Sequence, residues 1–222
     1  MQIIVPDFNR RIDLPGPGPC PRPVDIDRAK ATLETLVSLR VYSFAEGNVI
    51  DGEAEGDEVF IVLMHGAADI AVAVDGKTVG NFTLRMDGDR AVYLPPHSAY
   101  QLTATGDCDI AYARSEPVAA TPWPSSFAAT DGTLAVTDHA VGMEMALATV
   151  AAGGDLTIAA SDGGTPERFV HIRGAGTAST LSETLKDWYS AIFSDGEHAA
   201  LTVAGASVDI LTISAKAHAG RD

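Results

Sequence analysis

The sequence predicts an all-β protein made of two tandem copies of one small barrel. Short apolar or alternating runs recur at 37–44, 58–64, 69–74, 90–94, 99–104 and 108–113, punctuated by glycine and aspartate, as in sandwiches and barrels. The stretch EPVAATPWPSS at 116–126 then interrupts with three prolines, and a second series begins near Leu134. That second series repeats the first in order, about a hundred residues later: 39–50 answers to 145–158, 57–72 to 166–181, 89–104 to 187–203, and 107–115 to 207–215.

These observations divide the chain into a proline-rich N-terminal arm (1–24), a first barrel (25–118), a linker (119–132), a second barrel (133–216) and a tail (217–222). In the arm, PGPGPCPRP forbids helix and ladder pairing, because each proline lacks the backbone donor and restricts the residue before it. After it, DIDRAKATLETLV places Ile26, Ala29, Leu33 and Leu36 at helical spacing behind Asp25, which predicts a short helix. Thr180 and Glu183 in TLSETLKDW have the spacing of a capping box, but the repeat assigns WYSAIF to a strand.

Composition narrows the function classes. Thirty acidic and 15 basic residues give a formal charge of −15, spread along the chain, and such a surface repels phosphate backbones and anionic lipid headgroups. Nucleic acid and membrane are therefore not expected partners. No apolar run approaches the roughly 18 residues of a membrane span. Cys20 and Cys108 have neither disulfide-framework nor metal spacing and read as free thiols. The N-terminus shows no basic region followed by an apolar core, so the cytoplasm is the expected location. Nucleophile elbows, phosphate-cradling glycine loops and Cys-x-x-Cys pairs are absent from the sequence.

The run from Glu167 to Gly174 in SDGGTPERFVHIRGAG, the hairpin YLPPHSAYQLTA and the closing DCDIAYARSEP resemble the bicupin sugar isomerases, specifically the 5-deoxy-glucuronate isomerase family. The resemblance implies two cupin barrels and aldose–ketose interconversion of a uronic acid, with a divalent metal held by three histidines and a glutamate in the second barrel. A divalent cation there polarises the carbonyl and its neighbouring hydroxyl, which eases loss of the proton between them. Carried over by position, Glu167 and His198 are the implied catalytic and metal-ligating residues. The histidine pair expected just before Glu167 is replaced by AASDGGTP, in which Asp162 and Ser161 are the oxygen donors. Two ligands leave a zinc, nickel or manganese ion weakly held. Glu58 takes the matching position in the first copy, with Asp51, Glu53 and Glu55 upstream.

For substrate, His97 and Tyr100 in PPHSAY and the arginines Arg168 and Arg173 are the candidates, since a uronate carboxylate suits a guanidinium fork. Tyr100 alternates with Leu102 as a core residue does. His65 and His171 read as wall residues. Two functions follow: a uronate aldose–ketose isomerase with an altered metal site, or a non-catalytic cupin that binds a small carbohydrate or regulates. Exposed sheet edges need cover, which points to a homodimer with residues near 1–23 packed on another barrel.

Overall fold

The computed structural model describes residues 1–33, 35–116, 123–140, 142–158, 167–194, 197 and 199–216. All regular structure among them is β. The arm holds β1 (Gln2–Ile4), β2 (Arg11–Ile12) and β3 (Cys20–Pro21), and β4 (Val24–Asp27) follows. The first half continues with β5 (Leu36–Phe44), β6 (Val49–Glu53), β7 (Glu58–His65), β8 (Ala67–Val74), β9 (Lys77–Arg85), β10 (Asp89–Leu94), β11 (Ser98–Ala104) and β12 (Cys108–Ser115). Then come β13 (Ser125–Ala128), β14 (Thr133–Val136), β15 (Met143–Val150), β16 (Asp155–Ile158) and β17 (Glu167–Arg173). The last strands are β18 (Thr177–Ser179), β19 (Thr184–Leu185), β20 (Ser190–Ser194), β21 (Ala199–Ala204) and β22 (Val208–Ala215).

The helix expected after Asp25 is not formed. Val24 and Ile26 alternate into a buried face and pair with Val41 and Leu39 of β5, and the chain then turns where Lys30 and Ala31 donate to the Asp27 carbonyl. Leu33 and Leu36 are buried nonetheless, so the apolar spacing that suggested a helix serves a strand, a turn and a second strand. Thr180 likewise caps a turn: its Oγ1 accepts from the amides of Ser182 and Glu183 at 3.3 and 3.0 Å, between β18 and β19.

Strand order repeats between the halves. The first half runs β5-β12-β7-β10 and β6-β11-β8-β9; the second runs β15-β22-β17-β20 and β16-β21-β18-β19. Each half also takes an edge strand from elsewhere in the chain. β13 lies within the expected linker and pairs with β10 of the first half, Tyr93 opposite Ser125. β1 lies within the arm and pairs with β20 of the second half, Ile4 opposite Ser190. The arm thus covers an edge of its own chain, and Phe8 packs edge-on to Trp188 at 5.3 Å.

Between the bulges at Ser115 and Asp109, period-two alternation sorts the side chains on the large sheets. On β7, Val59, Ile61 and Leu63 enter the core inside the first half, while Phe60, Val62 and Met64 point the other way. On β17, Val170 and Ile172 enter the second half's interior, while Phe169 points outward. The outward sets of both halves meet in one core, where Phe60 and Tyr93 share a cluster with Phe169, Ile192, Leu211 and Ile213. The two large sheets are therefore packed back to back.

Candidate functional site

The same alternation decides what faces each interior. At the head of β17 the inward residue is Arg168; Glu167 points to the junction between the halves. Glu144 of β15 stands opposite Ser214 of β22, and Ser214 stands opposite Arg168, so three polar residues form one row across three strands. Arg168 donates through Nε to Ser214 Oγ at 2.9 Å. Burial lowers the Arg168 pKa, against the opposing pull of the Glu144 carboxylate. A cavity of about 230 Å³ opens over this face, lined by Ala146, Ala148, Thr212, Ser214 and Arg168, with Leu156 and Ile158 from β16.

Side-chain size explains why the second half has this cavity. Arg40 faces Tyr112 across β5 and β12 as Ala146 faces Thr212 across β15 and β22, and Tyr42 faces Ile110 as Ala148 faces Ile210. The first half therefore fills with Arg40, Tyr42, Tyr112 and Arg114 the positions that the second gives to Ala146, Ala148, Thr212 and Ser214. Arg114 is tied down by Asp57 at 2.6 Å and Glu55 at 3.0 Å. Tyr100 is buried in the same interior core, its ring 6.0 Å from that of Tyr112, and burial raises its pKa.

The two glutamates that mark the repeat join the halves. Glu167 is 4% exposed, and its carboxylate accepts from the backbone amides of Thr35 (3.3 Å) and Leu36 (2.7 Å), at the start of β5 in the other half. Glu58 is fully buried and accepts from the Gly142 amide (2.5 Å), just before β15 in the other half, and from the hydroxyls of Tyr93 and Ser115, each at 3.0 Å. The contacts are reciprocal, each glutamate holding the entry of the other half's equivalent strand. Two ion pairs repeat the exchange: Arg173 with Asp109, and Arg90 with Asp209 at 3.1 Å.

The other expected residues are distributed as follows. Arg173 also pairs with Asp187, and its guanidinium lies 4.0 Å from the Trp188 ring centre. His97 is exposed on the turn after β10, at φ +63°, its amide held by the Glu55 carbonyl at 2.6 Å. His171 is fully buried against Ser190 Oγ at 2.8 Å, and burial, with Arg173 nearby, pushes its pKa down to about 3. Cys20 and Cys108 are buried free thiols, both pushed up to about 12 by burial. His198, Ser161 and Asp162 lie outside the described residues.

Sequence reasoning missed Glu144 and Ser214. The signal available is the alternation in MEMALATV, where Met143, Met145 and Leu147 are buried and Glu144, Ala146 and Ala148 fall between them.

Among the described residues no three His, Cys, Asp or Glu side chains converge as a metal set. The donor chemistry agrees, since the inner position at the head of β17 holds a guanidinium, which repels a cation, and Glu167 is committed to backbone amides on the opposite face. The described residues do not fit the metal that the resemblance implies.

A model of the KduI/IolB family matches residues 21–137, over half of the chain. The chain belongs to the KduI/IolB family. This is the 5-deoxy-glucuronate isomerase family that the sequence resembles. The KduI/IolB match takes in most of the first half with β13 and β14, and the cavity strands β15, β17 and β22 lie beyond it. No curated protein matches the sequence significantly. Among solved structures, an IolB-like protein from Salmonella typhimurium LT2 is 17% identical, over 93% of this chain and 92% of that one, with a TM-score of 0.65. Protein YlbA from E. coli is 18% identical over 96% and 90%, with a TM-score of 0.69. Oxalate decarboxylase from Bacillus subtilis, described with Mn(II) centres, is 8% identical over 98% and 78%, also at 0.69. At these identities the likeness establishes the fold: all-β and cupin-like.

Proposed function

We propose that this KduI/IolB member is a two-barrel cupin that binds a small sugar acid in the cavity of its second half and interconverts its aldose and ketose forms without the family's metal. The observation that carries this is the row Glu144, Ser214, Arg168 across three inward-facing strands. A guanidinium offers a carboxylate or a developing enediolate two parallel N–H donors. Ser214 and Thr212 supply hydroxyls for the sugar's own. Glu144 is the base: its carboxylate takes the proton from the hydroxyl-bearing carbon beside the carbonyl and returns it to the former carbonyl carbon, the hydroxyl proton passes from that neighbouring oxygen to the former carbonyl oxygen, and Arg168 stabilises the charge that develops on oxygen between the two transfers. The acidic overall surface makes one recessed arginine a selective place for an anion.

A second reading keeps the binding and drops the chemistry. It is favoured by Arg168, a permanently charged side chain that binds an anion without exchanging a proton. One experiment separates the two: incubate the protein in deuterium oxide with 5-deoxy-glucuronate or glucuronate and follow exchange at the carbon beside the carbonyl by proton NMR, with binding measured by calorimetry. Glu144→Gln is expected to abolish exchange while retaining binding, and Arg168→Gln to weaken binding by at least ~10-fold, the scale of one charged hydrogen-bond pair. Binding without exchange in the parent protein establishes the non-catalytic reading. No binding of any sugar acid rejects both. Chelator should leave exchange unchanged.

A further inference from the structure

The filled end of the first half collects positive charge. Asp25 is 7% exposed, and four cations converge on it: Lys30 at 2.8 Å, Arg22 at 3.2 Å, Arg40 at 3.3 Å and Arg10 at 3.9 Å. Lys30 also reaches Asp27 at 3.2 Å, so four cations meet two carboxylates and leave a surplus of two. The chain has only 15 basic residues against 30 acidic ones, so a local surplus runs against its overall balance. Two of the guanidiniums are also under-used. The Nε atoms of Arg22 and Arg40 are buried with no hydrogen-bond partner, the Arg40 Nε lying near Asp25 without the alignment of a hydrogen bond. Asp25 Oδ1 likewise lacks a hydrogen bond, 3.3 Å from the Arg40 Nε, so this cluster is not closed by its own groups, whereas buried polar atoms ordinarily are.

We propose that Arg10, Arg22, Lys30 and Arg40 form a second ligand site, separate from the sugar-acid cavity, that takes the phosphoryl group of a small phosphorylated molecule. A carboxylate brings one negative charge and two acceptor atoms. A phosphomonoester brings roughly 1.5 to 2 charges at neutral pH and three acceptor oxygens, which matches the surplus and the guanidinium forks. The four side chains are partly exposed, from 23% to 41%, so a ligand reaches them from solvent.

Phosphorus NMR and calorimetric titrations of the full chain, with inorganic phosphate and with glucose 6-phosphate at constant ionic strength, test this. The expected result is saturable one-to-one binding with a Kd of about 1 mM or tighter. In Arg10→Gln/Arg22→Gln it should weaken at least ~10-fold while circular dichroism stays unchanged. Should the double variant lose its fold, Arg10→Gln alone, which removes the longest of the four contacts, is expected to weaken binding measurably and keep it. Tighter binding of the sugar phosphate identifies a phosphorylated metabolite as the ligand; equal binding identifies free phosphate. Absence of saturable binding, or binding undiminished in the variants, overturns the site. Titration of the same variants with glucuronate separates this outcome from any failure of the sugar-acid cavity.

Discussion

The first half expressed alone, as residues 1–116, is expected not to fold. Its outward face, with Phe60, Val62, Met64 and Tyr93, packs in one core with Phe169, Ile192, Leu211 and Ile213 of the second half, and β10 takes its edge partner β13 from beyond residue 116. Cutting there also removes Gly142 from Glu58 and Asp209 from Arg90, both buried groups. The second half, as residues 123–216, loses β1 from β20 and the Thr35 and Leu36 amides from Glu167. An unpaired edge beside an exposed apolar face is an aggregation surface. Near-ultraviolet circular dichroism and light scattering should show each fragment without fixed tertiary structure or aggregated. Mixed from denaturant, the two fragments should regain native dichroism together. A monomeric, cooperatively folded fragment 1–116 would remove the basis for treating the strand exchange as structural.

The second large effect is expected from Glu58→Ala. It leaves the Gly142 amide and the hydroxyls of Tyr93 and Ser115 without their acceptor in a fully buried place. At roughly 1 kcal/mol or more for each orphaned donor, the loss is about 3 kcal/mol. For a chain of this size that corresponds to a Tm lowered by roughly 10 °C. Glu58→Gln keeps one acceptor oxygen and should cost about a third as much. Urea melts of the three proteins check the order; a Glu58→Ala protein as stable as the parent would mean that water takes over the site.

Much of this was legible in the sequence because alternation is a strong signal. The runs that form β5, β7, β12 and β22 stand out as short apolar or alternating stretches of strand length, and the all-β class follows from them. The direction of Glu167 was not legible. A Glu followed seven residues later by Gly has the same spacing whichever face the glutamate takes, and a shift of one residue exchanges the faces. Only the packing of Phe169 against the other half and of Val170 inside its own shows that Arg168 is the inward neighbour. Arg173, which the sequence offers as a ligand for a uronate, lies on Asp109 and Trp188, because a guanidinium satisfies an inter-half carboxylate as well as a substrate's. Glu144 and Ser214 went unread since an isolated glutamate or serine in a strand carries no motif; their meaning comes from standing opposite one another and Arg168 across three strands. The helix after Asp25 failed for a related reason: the pairing of Val24 and Ile26 with β5 is non-local, and local spacing cannot show it.

Glu167 joins the halves, and in the proposed function its neighbour Arg168 serves the cavity. Glu167→Ala separates the two roles. Urea denaturation is expected to show a loss of about 2 kcal/mol, from the two amides left without their carboxylate, while calorimetry on the folded variant gives a sugar-acid Kd equal to the parent's. Unchanged stability with lost binding would contradict the account and return Glu167 to the ligand site.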